Sequence, residues 1–171
     1  MSRLIHQWKS IRLEQEEVVL PNGKQITHTN IQHPGAAVVL PINAEGEIIV
    51  VNQYRPSLKK WLVELPAGTI EEGESPLACA QRELLEETGC VAEQFLPLGQ
   101  VTPMAGFCDE IQHLFVAKGA SIHGECALDD DEIIQVETLP LQHLQELIKT
   151  NQLTDAKTIA CLSKAQLCGY L

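Results

Sequence analysis

The chain has 171 residues, which suits one domain with a proper hydrophobic core and at most a small appended element. Its formal charge is −11, from 12 basic and 23 acidic residues, which argues against a nucleic-acid surface or an anionic membrane as partner. An anionic ligand would need a metal ion or local arginines to dock, and with only 4% aromatic residues the core must be filled by aliphatic side chains.

The opening residues, 1–9, lack a signal-peptide hydrophobic region, and the longest apolar run, residues 35–42, is far too short to span a bilayer. Cys79, Cys90, Cys108, Cys126, Cys161 and Cys168 form no C-x-x-C pair and sit among apolar neighbours or in predicted helices. Buried reduced thiols in a soluble cytoplasmic protein are expected. Val18-Val19-Leu20 and Gln25-Ile26-Thr27 flank Pro21-Asn22-Gly23-Lys24, and Asn-Gly between two such runs predicts a hairpin. Residues 1–32 are assigned to an N-terminal β-hairpin element and 33–171 to the main domain.

Residues 33–41 predict a buried strand, residues 44–47 a turn, and residues 48–55 a second strand that ends on Tyr54-Arg55. A lone arginine at a strand end is usually solvated. This one closely precedes an acidic segment, and guanidinium is well shaped for phosphate oxygens, so Arg55 is assigned to substrate binding.

That acidic segment reads as a helix with both ends marked: Ser75 as N-cap, Pro76 in the first position, and Gly89 as the left-handed terminator. At about 100° per residue, Leu77, Ala80 and Leu84 form one stripe, with Glu83, Glu86 and Glu87 on a neighbouring arc. Carboxylates at i, i+3 and i+4 repel one another. A hard divalent cation would remove the conflict, and Mg²⁺ or Mn²⁺ suits all-oxygen ligands; a solvated acidic face is the plainer alternative.

Beyond the helix, residues 96–101 and 111–117 predict strands around a loop at 102–110. Asp129, Asp130, Asp131 and Glu132 form a second acidic cluster without EF-hand spacing, and an acidic surface loop accounts for Asp129 and Asp130. Leu141, Leu144, Leu147 and Ile148 give helical spacing within residues 139–149, and a last helix is predicted from near Asp155 to Cys168. No repeat, low-complexity segment or long linker is present.

The stretch from Gly68 to Cys90 resembles the Nudix box, G-x5-E-x7-R-E-U-x-E-E-x-G-U with U a bulky aliphatic. Gly68, Glu74, Arg82, Glu83, Leu84, Glu86, Glu87 and Gly89 match, and Cys90 stands at the last aliphatic position. The resemblance implies an α/β/α sandwich with a mixed sheet, and a loop-helix-loop that binds Mg²⁺ (or Mn²⁺) and hydrolyses a nucleoside diphosphate linked to another moiety. It implies Glu83, Glu86 and Glu87 as metal ligands, the Ala67 carbonyl as a further one, and Gly68, Glu74, Arg82 and Gly89 as supports.

Gln53-Tyr54-Arg55-Pro56 and Glu64-Leu65-Pro66-Ala67-Gly68 look like the ADP-ribose pyrophosphatase group within that superfamily. The group's loop phrase survives as Gly106, Phe107, Asp109 and Glu110, but Ala105 stands where a proline is expected, which leaves the sugar nucleotide open. By resemblance, Gly106, Phe107 and Glu110 contact substrate, and Glu132 is the late-loop catalytic glutamate that takes a proton from water, a role otherwise falling to a box glutamate. The resemblance also implies a homodimer built through the N-terminal element. The expected reaction splits ADP-ribose into AMP and ribose 5-phosphate. Other substrates of the superfamily, GDP-mannose, a dinucleotide or a damaged nucleoside triphosphate, are the alternatives, with a non-catalytic nucleotide sensor behind them.

Overall fold

The structure is a computed structural model that describes residues 2–128 and 132–171. Its centre is a mixed sheet of seven strands: β4 (Ala36–Ile42), β5 (Ile48–Arg55), β6 (Lys60–Glu64), β7 (Ala67–Thr69), β9 (Gln94–Val101), β10 (Gln112–Lys118) and β12 (Ile134–Leu139). The main path runs β12-β5-β4-β10-β9, with β6 on β5 and β7 on β4. Only β10 and β4 are parallel. A small two-stranded ladder joins β8 (Cys90–Val91) to β11 (Ser121–Ile122).

Side chains alternate across the sheet because successive residues of a strand face opposite sides. Val38, Leu40, Ile48, Val50, Leu114 and Val116 face helices α2 (Leu141–Lys149) and α3 (Ala156–Leu167), where Leu144, Cys161, Leu162 and Ala165 complete one core. Ala37, Val39, Ile49, Phe115 and Ala117 face helix α1 (Pro76–Thr88) and its Cys79, Ala80 and Leu84. Helices cover both faces, so the expected α/β/α sandwich is present. β4 is buried along its whole length, as a strand covered on both faces must be.

β4 and β5 share a single register pair, Ile42 with Ile48, before they part. Beyond it β5 pairs with β6 and β12, whereas β4 pairs with β7 and β10. The split leaves the end of β5 and the strand that enters the acidic segment on opposite sides of an opening.

The caps of α1 are those read from sequence. Ser75 Oγ accepts from Ala78 N at 3.2 Å, and Gly89, at φ +67°, donates its N–H to Leu85 O at 2.8 Å. Leu77 departs from expectation: it is 43% exposed, although it shares the face of Ala80 and Leu84. Wheel angle fixes the face, not what lies opposite it. Cys126 and Cys168 are likewise exposed, whereas the other four thiols are buried, and all six are free.

The N-terminal hairpin is β2–β3 of a three-stranded antiparallel sheet, β1 (Arg3–Trp8), β2 (Ile11–Val19) and β3 (Gln25–Gln32). Its Asn-Gly turn forms as expected, with Gly23 at φ +82°. The added strand β1 is exposed at every residue, so it has no apolar alternation by which it could be recognised. This sheet is tied to the main body at Ile31, whose N–H reaches Phe107 O at 2.8 Å and whose carbonyl accepts from Asp109 N at 3.1 Å. No helix among the described residues is long and apolar enough to cross a membrane.

Candidate active site

Helix α1 lies against β7 and sets its glutamates at the end of the sheet. A Cβ on Gly68 would sit 1.8 Å from Glu83 Oε1, so only glycine lets that carboxylate close on the strand. One turn on, Glu87 Oε2 accepts the N–H of Ala67 at 3.1 Å. At the helix end a Cβ on Gly89 would meet Gly124 O at 2.4 Å, so glycine is required there for space as well as for φ.

Arg82 organises the glutamates. Its Nε and Nη2 donate to the two oxygens of Glu74 at 2.9 and 3.0 Å, and its Nη1 donates to Glu83 at 2.7 Å and Glu86 at 2.9 Å. Nη2 also reaches Thr69 O at 3.2 Å, which pins the loop between β7 and α1. The bonds from Arg82 hold the Glu74 carboxyl down to about 2. Glu83 is pushed up to about 7, chiefly by burial and then by Glu86 and Glu132, against the pull of Arg82. Glu87, 2% exposed, is pushed up to about 8 by burial and by the charge of Glu83.

Among the described residues no three His, Cys, Asp or Glu side chains converge as a ready metal cage; the Arg82 guanidinium bridges Glu83 and Glu86 instead. The donor chemistry nevertheless suits a hard divalent cation. Every candidate is an oxygen, and Glu83 and Glu87 are buried beside each other in a conflict that positive charge relieves.

The opening in front of these residues is a cleft of about 1390 Å³. Glu83, Glu86, Ala67 and Gly68 line one wall; Gln53, Tyr54 and Arg55 from the end of β5 line the other. The β1–β2 turn, Trp8 to Arg12, closes a third side, and Asp109 and Glu132 also face in. Glu132 is near enough to raise both Glu83 and Glu87 electrostatically. Asp129, Asp130 and Asp131, the rest of the second acidic cluster, lie outside the described residues.

The other predicted residues are spread more widely. Glu110 is buried and lines a smaller cavity of about 240 Å³ next to the cleft, with Arg55, Ala67, Gly68, Gln112 and Lys157. Its Oε1 accepts from Gln112 Nε2 at 2.9 Å. Gly106 and Phe107 line neither space; the Phe107 carbonyl ties down β3, and Asp109 Oδ1 accepts the His33 N–H at 2.8 Å.

Arg55 is half-exposed but ion-paired. Its Nε and Nη2 grip Glu64 at 2.8 and 2.6 Å, and Lys157 of α3 bonds to the same carboxylate. Sequence reasoning missed Trp8, Glu64 and Lys157. Glu64 and Lys157 are 93 residues apart, and no local pattern joins them.

A mixed sheet between helices, with a loop-helix-loop presenting glutamates to a large cleft, is the architecture of a Nudix hydrolase. The sequence profile of the NUDIX domain matches residues 31–161, and the chain belongs to this family. It is 41% identical over 160 residues to the ADP-ribose pyrophosphatase of Bacillus subtilis (strain 168), across 93% of this chain and 86% of that one. It is 42% identical over 158 residues to the methanol dehydrogenase activator of Bacillus methanolicus, across 92% of this chain and 85% of that one. A crystal structure of an ADP compounds hydrolase shares the fold, with a TM-score of 0.83 over 97% of this chain and 90% of the other at 19% identity. The protein is thus a Nudix hydrolase, and Nudix hydrolases in general use divalent metal ions.

Proposed function

We propose that the protein hydrolyses the pyrophosphate bond of a nucleoside diphosphate sugar, with ADP-ribose giving AMP and ribose 5-phosphate, and that it uses Mg²⁺ or Mn²⁺. What carries the reading is one cleft lined by both glutamates of the box and an arginine. The similarity to the Bacillus subtilis protein named ADP-ribose pyrophosphatase supports the choice of ADP-ribose.

Glu83, Glu86 and Glu87, with the Ala67 carbonyl, would hold the ion. When bound, it offsets charge on the diphosphate and makes a water more acidic. Arg82 keeps Glu83 and Glu86 oriented through Nη1. Arg55, anchored by Glu64 on its Nε–Nη2 edge, turns Nη1 to the phosphate oxygens. Trp8, 58% exposed on the cleft rim, offers a stacking face to the base. Glu132 takes the proton of the attacking water. As the new P–O bond forms, the bridging P–O bond breaks and the leaving phosphate departs with its electrons. Glu110 faces the sugar end from the smaller cavity.

We further infer a cytoplasmic homodimer. Leu4, Ile5 and Val19 expose apolar surface on the N-terminal sheet, and a second copy is the partner the reading assigns to it. Size-exclusion chromatography with light scattering reports the mass directly.

A second reading follows from the name of the Bacillus methanolicus relative, a methanol dehydrogenase activator: the chain activates a dehydrogenase. Product analysis separates the two. Nucleoside diphosphate sugars, dinucleotides and nucleoside triphosphates are incubated with Mg²⁺ and then with excess chelator. AMP and ribose 5-phosphate in equal amounts from ADP-ribose, abolished by chelator, support the first reading. Turnover of another nucleotide, with a rise in the rate of a methanol dehydrogenase when the protein is added, supports the second.

A further inference from the structure

We infer that Lys157 is a positioning residue of the hydrolase, acting through Glu64 on Arg55. The inference rests on the reading that Arg55 binds the diphosphate. Glu64 is among the most buried charged groups of the described chain, at 1% exposure, and its carboxylate serves two cations at once. Arg55 takes both oxygens, through Nε on Oε1 and Nη2 on Oε2, while the Lys157 ammonium also bonds to Oε2.

Lys157 is itself held. Its Nζ lies 3.1 Å from Asp155 Oδ1, and the other oxygen of Asp155 caps α3 by accepting from Thr158 N at 2.9 Å and from Thr158 Oγ1 at 2.7 Å. Thr158 Oγ1 in turn accepts the N–H of Leu65 at 2.8 Å, next to Glu64 in the chain. The first turn of α3 is therefore docked on the residues that lead from β6 into the metal-binding loop. Lys157 and Arg55 both line the smaller cavity beside the cleft.

Two consequences follow for Arg55. With Lys157 in place, the Glu64 carboxylate is held by two cations, so the guanidinium has one orientation. The negative charge of Glu64 is also divided between two cations, which leaves Arg55 more of its positive charge for a phosphate. Without Lys157, Glu64 turns its full charge on Arg55 and loses its fixed plane. Binding weakens although Arg55 itself is intact.

The test is a double-mutant cycle on ADP-ribose with Mg²⁺, comparing wild type, Lys157→Met, Arg55→Ala and the double variant. Lys157→Met should raise KM about tenfold, the size of one charge-assisted hydrogen bond, with kcat changed by less than about twofold. The double variant should be no worse than Arg55→Ala alone, and Lys157→Arg should restore most of the loss. Leu162→Ala, which loosens the core face of the same helix outside this network, should lower stability and leave KM where it was.

An unchanged KM in Lys157→Met, multiplying effects in the cycle, or an equal KM rise from Leu162→Ala would overturn the inference. Should Lys157→Met not fold, Lys157→Gln takes its place in the cycle. A wild type that turns over no ADP-ribose defeats the substrate assignment alone. The Arg55 Nε–H resonance, read by side-chain NMR, then decides the positioning role. The inference predicts that this signal shifts and exchanges faster in Lys157→Met; an unaltered signal contradicts it.

Discussion

Across the cleft, two ion clusters are built with different charge balance. On the box wall, Glu74, Glu83 and Glu86 gather around the single guanidinium of Arg82, with Glu87 buried alongside. On the facing wall, Arg55 and Lys157 gather around Glu64, with Asp155 behind. The first cluster carries surplus negative charge and holds Glu83 and Glu87 well above the usual carboxylate range. The second is paired charge for charge, and Arg82 and Arg55 are each held more firmly protonated by the carboxylates bonded to them. A wall that lacks positive charge invites a cation, whereas a wall whose cations are anchored but not exhausted can grip an anion. A Mg²⁺-bridged diphosphate satisfies both.

The contrast is broken most severely at Glu87. Glu87→Gln keeps an acceptor for Ala67 N–H but removes the charge, and kcat with Mg²⁺ should fall by about 10²–10³-fold, the scale of lost metal-assisted charge stabilisation. Its thermal midpoint should stay level or rise, because a buried like-charge conflict has been removed. Wild-type turnover in this variant would take Glu87 out of the site. Gly68→Ala comes next. The new methyl group must displace Glu83, and a misplacement of about 1 Å should lower kcat by about 10²-fold with little loss of stability.

Arg82→Lys sharpens the comparison on the stability side. A lysine cannot form the fork on Glu74 while bridging Glu83 and Glu86, so unfolding free energy in a denaturant titration should drop by about 1.5–3 kcal/mol. The smallest effect is expected at the cleft rim. Trp8→Ala should raise KM for ADP-ribose by about tenfold, the value of one stacked base, with kcat within about twofold. An equal loss on ribose 5-phosphate inhibition would place Trp8 at the sugar end instead.

What could be read from the amino acids divides along the same line. The box wall is local: Ser75, Pro76 and Gly89 mark the helix, and Glu74, Arg82, Glu83, Glu86 and Glu87 lie within a few turns of one another, so spacing alone aligns them. The facing wall is assembled from β5, β6 and α3. Arg55 and Glu64 meet because β5 and β6 pair, and Lys157 joins them across 93 residues. The partner of Arg55 was therefore hidden, although its place at a strand end was visible. The N-terminal sheet was hidden in a third way. β1 is exposed along its whole length and has no burial pattern to betray it, yet its turn carries Trp8 into the cleft.

The central claim is that the glutamates of the box wall hold a divalent cation for the phosphates gripped by the other wall. Electron paramagnetic resonance of Mn²⁺ titrated into wild type and Glu87→Gln measures this directly. Saturable binding by wild type, weakened at least about tenfold in the variant and tightened by AMP, is the predicted result. Equal Mn²⁺ binding by both proteins, or none by wild type, would contradict it.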